Sequence, residues 1–245
     1  MLVVTLLLCL PSLAKADAIS PASFSATLGV GESTTITKTV TVDSTGSPKV
    51  DVYFLADTTG SMHGSIAGIK AAASTILSSA AGLGDVSFAV GEYKDSYDPY
   101  RYRLNTAMTS STAAAQGGIN LWNASGGHDA PEANFYALDH AASDAATGWR
   151  SGSERIMVWF GDAPGHNPDG GSSEASATAA LVGAGIQVEA INVTTFTSFG
   201  FNLDLCSGYY CGASGEGGAA TSGQATRITN ATGGNLYTST NTSAI

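Results

Sequence analysis

Two stretches of this 245-residue chain can be extended strands only if both of their faces are covered. Val50-Asp51-Val52-Tyr53-Phe54-Leu55-Ala56 and Ile156-Met157-Val158-Trp159-Phe160-Gly161 are apolar at odd and even positions alike, with a single charge between them. Side chains of a strand alternate between its faces, so such a run has no side to offer to water and reads as a central strand of a parallel sheet. Between them the apolar spacing turns helical, with Ile66, Ile69, Ala73, Ile76 and Leu77 on one face of a segment over 62–81. Further strands are predicted over 86–93, over 99–104 as its hairpin partner, over 186–193 and over 235–239. Further helices are predicted over 110–122, 131–146, 173–184 and 221–232. This order predicts an α/β fold: a doubly wound, mostly parallel six-stranded sheet with helices on both faces.

The segments ahead of that domain carry a different pattern. Leu2 to Leu13 is apolar and ends in Ala14-Lys15-Ala16, the form of a cleavable secretory signal over 1–16. The run is shorter than the ~20 apolar residues that cross a bilayer, and no other stretch is long enough, so no transmembrane segment is expected. In an exported chain Cys206 and Cys211, separated by Ser-Gly-Tyr-Tyr, are expected to close a local disulfide, while Cys9 leaves with the leader. Phe24, Ala26, Leu28 and Val30 alternate with polar residues, as do Ile36, Val40 and Val42, which predicts a β-hairpin within 17–47. A lone hairpin needs something to pack on. The main domain is placed at 48–241 and the start of a further segment at 242–245, as at the front of a longer secreted or cell-surface protein. Ten basic against twenty acidic residues give a net charge of −10, which argues against a nucleic-acid partner.

The chemistry is expected at the carboxyl ends of the central strands, where doubly wound sheets bind their ligands. Asp57 ends the first apolar strand in Asp57-Thr58-Thr59-Gly60-Ser61, and Asp162 ends the second. Residues two apart on extended chain point the same way, so Asp57, Thr59 and Ser61 can turn one carboxylate and two hydroxyls toward one point. Oxygen donors of that kind suit a hard cation, Mg²⁺ or else Ca²⁺ or Mn²⁺. One or two carboxylates leave such an ion net positive, ready to attract an acidic group from a partner. The competing reading of the same residues is a helix N-cap, a position that Asp, Thr and Ser also favour.

Asp57-x-Thr59-x-Ser61 after the apolar strand, followed by Met62 and a helix, resembles the metal-ion-dependent adhesion site of von Willebrand factor type A (vWA) domains, and the likeness runs from about residue 48 to 241. Within that family the chain is most similar to the integrin β-subunit type, whose Asp-x-Pro-Glu loop is matched by Asp129-Ala130-Pro131-Glu132. The resemblance implies that Glu132 approaches the metal directly or through water and that Asp162 holds it through water. Pro131 and Glu132 are expected in the first turn of the following helix. The resemblance also implies a second cation at Asp95 and Asp129, although Gly127 stands where that family carries an Asn. A third site is expected to be absent, because Gly64 and Ser65 replace its acidic residues. By analogy the hairpin would belong to a partial β-sandwich.

The expected function is that of a secreted or cell-surface adhesion module, not an enzyme, that uses its cation to grip a carboxylate on a protein or extracellular-matrix partner. Two alternatives stand beside it: a metal-dependent hydrolase using Asp57, Asp162 and a nearby His, and a purely structural module of a larger envelope protein. The chain lacks the Gly-x-Ser-x-Gly and His-Glu-x-x-His motifs of two hydrolase classes. His63, His128 and His166 each follow one of the metal loops and are placed at the rim of the site rather than among its ligands. Tyr93, Tyr97, Tyr100 and Tyr102 are read as edge and surface packing.

Overall fold

The computed structural model describes residues 18–21, 23, 25, 33, 35–41, 49–129, 131–193 and 223–239. The chain divides into two units, 1–47 and 48–245. In the first, β1 (Ala18–Ser20) pairs antiparallel with β2 (Thr39–Thr41), Ile19 opposite Val40. The second strand of the expected hairpin is therefore met only near its end, and its partner lies upstream of the segment 24–30. Alternation in a tract this rich in Ser and Thr is a weak guide to register, because Thr fits either face of a strand.

The second unit is built on a six-stranded sheet. Its strands are β3 (Lys49–Asp57), β4 (Val86–Tyr93), β5 (Tyr102–Thr109), β6 (Ser153–Gly161), β7 (Ile186–Val193) and β8 (Leu236–Ser239), arranged β5-β4-β3-β6-β7-β8. Every pair is parallel except β4–β5. The helices are α1 (Ile66–Ala81), α2 (Thr112–Asn120), α3 (Asn134–Ser143), α4 (Glu174–Gly183) and α5 (Gln224–Thr232). The α/β fold with a mostly parallel six-stranded sheet is thus the one the alternation of apolar runs predicts. β5 differs in position: it starts at Tyr102, after Pro99, and reaches Thr109 through half-exposed Asn105 and Thr106. An edge strand tolerates such residues, which is why apolar patterning shortened it.

The two faces of β3 sort the core. Val52, Phe54 and Ala56 pack with Ile69, Ala73 and Leu77 of α1 and with Ala115 and Ile119 of α2. Tyr53 and Leu55 face the opposite layer, with Phe135 and Leu138 of α3, Leu181 of α4 and Ile228 of α5. Tyr93 belongs to that core rather than to a surface, its hydroxyl accepting from Trp159 Nε1 at 3.2 Å. At the amino end of the sheet Asp51 is fully buried. Its carboxylate accepts from Arg150 Nε (2.5 Å), Arg150 N (2.7 Å) and Ser153 Oγ (2.8 Å).

The strand order also fixes where a ligand can sit. From β3 the chain moves outward to β4 and β5, then returns to place β6 on the other side of β3. Loops leaving β3 and β6 consequently part in opposite directions and open a crevice at the carboxyl ends of these two strands. Asp57 and Asp162 stand at its two sides. Among the described residues no helix is long and apolar enough to cross a membrane. The leader over 1–16, Cys206 and Cys211 lie outside the described residues.

Candidate metal centre

Backbone hydrogen bonds hold the loops of the crevice against one another. Thr58 N donates to Tyr93 O (3.0 Å), Ser125 N to Thr58 O (3.0 Å), and Gly60 N to Gly126 O (3.0 Å). Gly60 is required by this approach, since a Cβ there would lie 2.7 Å from Gly126 O. Lys94, 5 % exposed, sits below the same loops and donates from Nζ to the carbonyls of Thr58 and Ser125. Glu132 N donates to Pro164 O (2.8 Å) and His166 N to Glu132 O (2.9 Å), so the Glu132 loop runs beside the Asp162 loop as a short parallel bridge. Glu132 therefore lies in extended chain ahead of α3, not in the first turn of the helix. Gln224, the first residue of α5, closes the arrangement by bonding both backbone groups of Gly165, at 2.7 and 3.1 Å.

Within that frame the predicted side chains come together. Thr59 donates from N (2.8 Å) and from Oγ1 (2.7 Å) to Asp57 Oδ1. Its hydroxyl lies 3.3 Å from Ser61 Oγ, and Ser61 Oγ donates to Asp162 Oδ1 at 2.8 Å. One polar chain thus links Asp57, Thr59, Ser61 and Asp162. Neither Thr59, before the short 3₁₀ helix Gly60–Gly64, nor Ser65, before α1, makes a side-chain cap bond, so N-capping does not account for the motif. Glu132 belongs to the same group, as its Oε1 lies 3.3 Å from where a Cβ on Gly127 would be, beside Thr59.

The electrostatics of this group run against burial. Asp57, Asp162 and Glu132 are 0 %, 0 % and 3 % exposed. Burial, and then the neighbouring Asp162, push the Asp57 carboxyl up to about 8. Burial raises Glu132 still further, with Asp57 and Asp95 adding to it. Asp57 Oδ2 and Glu132 Oε2 are buried with no hydrogen-bond partner among the described residues. A buried carboxylate oxygen without a donor costs free energy that a cation would return. Oxygen donors alone, carboxylate and hydroxyl, are what Mg²⁺ and Ca²⁺ take. The residues present fit such an ion.

Beside this group lie the two residues proposed for a second cation, and a third that the sequence reading put elsewhere. His166 Nε2 is 3.3 Å from Asp95 Oδ1 and 3.0 Å from Asp129 Oδ1. His63 and His128 are exposed, as rim residues should be, whereas His166 is mostly covered and turned toward these two carboxylates. The available signal was its place, four residues past Asp162 in the loop that the Glu132 bridge draws close.

The family model described as "Integrin beta-like protein A-E, vWA-like" matches residues 19–237. That match begins upstream of residue 48, where the sequence likeness to vWA domains starts. Similar solved structures include two crystal forms of proximal thread matrix protein 1 (PTMP1) from the mussel byssus, each 19 % identical, with TM-scores of 0.49 and 0.48. Each likeness covers 61 % of this chain and 37 % of that one, so the chain spans little more than a third of its length. No curated protein matches the chain.

Proposed function

Because the chain belongs to the vWA-like family of integrin beta-like proteins A–E, we propose that it is an extracellular adhesion module that binds an acidic group of a protein partner through a divalent cation. Asp57, Thr59, Ser61, Glu132 and Asp162 would hold the ion, Mg²⁺ or in its place Ca²⁺ or Mn²⁺. The bound ion supplies positive charge at the mouth of the crevice, where a partner's carboxylate can complete its shell. The chain's own residues do the rest. Thr59 fixes the rotamer of Asp57 with two hydrogen bonds, Ser61 ties Asp162 to the same loop, and Lys94 pins the carbonyls behind them. The observation that carries this reading is the convergence of three buried carboxylates, two of them with an oxygen that lacks a donor among the described residues.

Binding of this kind needs no turnover, and we place the chain among binding proteins rather than enzymes. Export by a leader over 1–16 and a place at a cell surface or matrix are part of the same proposal. The test uses the full secreted chain and a short aspartate-containing peptide, followed by amide chemical shifts of Thr59 and Gly60. Peptide-dependent shifts are expected in Mg²⁺, with none after chelation and none in Asp57→Ala. Peptide binding that survives the chelator would overturn the proposal. A melting temperature that falls on chelation, with no peptide binding under any condition, would leave the ion a structural role only.

A further inference from the structure

Asp95, Asp129 and His166 come from three separate loops, and one ligand-type atom of each lies within 4.8 Å of the other two. At 3.0 and 3.3 Å the His166 ring nitrogen is close to both carboxylates. Yet His166 Nε2 and Asp129 Oδ1 are buried atoms without a hydrogen-bond partner among the described residues, so the approach lacks hydrogen-bond alignment. Three ligand-type atoms gathered this closely could share one ion. Tetrahedral bonds of about 2.0–2.1 Å set neighbouring donors about 3.3 Å apart, close to both observed separations. Asp95 is fully buried and oriented by the backbone N–H groups of Ser96 and His128, the latter at 2.9 Å. Such outer hydrogen bonds fix ligand carboxylates in metal sites. Next to the cluster Glu132, 3 % exposed, keeps an Oε2 without a partner.

The donor set differs from the one the family resemblance implies. An oxygen-bearing side chain is expected at position 127, where this chain has glycine at φ +79°. A Cβ there would lie 3.2 Å from Thr59 Cβ and 3.3 Å from Glu132 Oε1. The residues present therefore do not reproduce an all-oxygen cage, and an imidazole nitrogen occupies the third place.

We propose that Asp95, Asp129 and His166 form a mixed nitrogen–oxygen site for a borderline divalent ion of the zinc class, with a fourth position open to water or to a partner's side chain. Imidazole suits Zn²⁺ and its transition-metal neighbours, whereas Ca²⁺ and Mg²⁺ prefer oxygen and gain little from it. The site is separate from the Asp57 centre and stands whether or not that centre captures a partner.

The test is a calorimetric titration of the metal-stripped full chain carrying Asp57→Asn, so that the neighbouring centre stays silent. One Zn²⁺ per chain is expected to bind, with Ca²⁺ much weaker. Adding His166→Gln should weaken Zn²⁺ by about tenfold or more and leave Ca²⁺ unchanged. Co²⁺ in place of Zn²⁺ should give visible absorption bands that His166→Gln abolishes. Where His166→Gln fails to fold, Asp129→Asn is expected to give the same losses. Zn²⁺ uptake that is indifferent to both substitutions, or Ca²⁺ bound more tightly than Zn²⁺, would overturn the proposal. Mg²⁺ binding by the His166→Gln chain with Asp57 intact reports on the other centre alone and separates the two.

Discussion

β3 carries a buried aspartate at each end, and the two live in opposite circumstances. Asp51 and Asp57 are both 0 % exposed and six residues apart on one strand. Both oxygens of Asp51 accept hydrogen bonds, from the Arg150 guanidinium and backbone and from Ser153. Asp57 has one oxygen served by Thr59, another with no donor among the described residues, and a second carboxylate, Asp162, as its neighbour. The protein's own cation satisfies the first aspartate. The second, under the proposed function, would take its cation from outside. Burial alone does not mark a functional carboxylate; burial with its compensation withheld does.

The largest effect that could break this contrast is on folding. Arg150→Ala leaves buried Asp51 without its counter-ion, with only the backbone N–H of residue 150 and Ser153 Oγ as donors, and urea denaturation should show a loss of about 3–5 kcal/mol. Asp57→Asn should leave the metal-free protein as stable as before, or more so, because it removes a carboxylate that burial and Asp162 already oppose. If the metal-free Asp57→Asn chain loses as much stability as Arg150→Ala, the two ends of the strand are alike and the contrast fails.

A smaller effect sharpens it. The carboxyls of Asp57 and Glu132 titrate higher in the folded chain than in the unfolded one, so the folded state binds more protons. Their contribution to stability is full below the unfolded value near 4 and is lost as pH rises through the folded value, about 8 for Asp57. Metal-free stability should therefore fall from pH 4 toward 8, by at most about 1.4 kcal/mol per pH unit for each proton involved. Saturating Mg²⁺ should flatten that slope, as should Asp57→Asn. Denaturation curves at stepped pH, with chelator and with Mg²⁺, check it.

The sheet was legible because its central strands must be apolar on both faces. Lys49–Asp57 and Ser153–Gly161 fall where that pattern puts them. β5 was legible in its hairpin pairing but not in its extent, because an edge strand leaves its side chains half in water and obeys no such demand. In the same way Asp57, Thr59 and Ser61 could be read locally, from two-residue spacing at the end of a strand. Glu132 lies beside that group but was misplaced in its backbone, since it is drawn into a bridge with Gly165, 33 residues on. His166 shows the limit more plainly. Its ring meets Asp95 and Asp129 only because three loops converge, and no spacing in the sequence encodes that meeting.

The account's central claim is that Asp57 is kept without a full set of partners in order to hold a cation. Calorimetric titration of the metal-stripped full chain with Mg²⁺ tests it most directly, with wild type, Asp57→Asn and Arg150→Ala compared where all three are folded. Saturable binding of one Mg²⁺ is expected in wild type and Arg150→Ala, with none in Asp57→Asn. Wild-type affinity for Mg²⁺ in the Asp57→Asn chain would contradict the account.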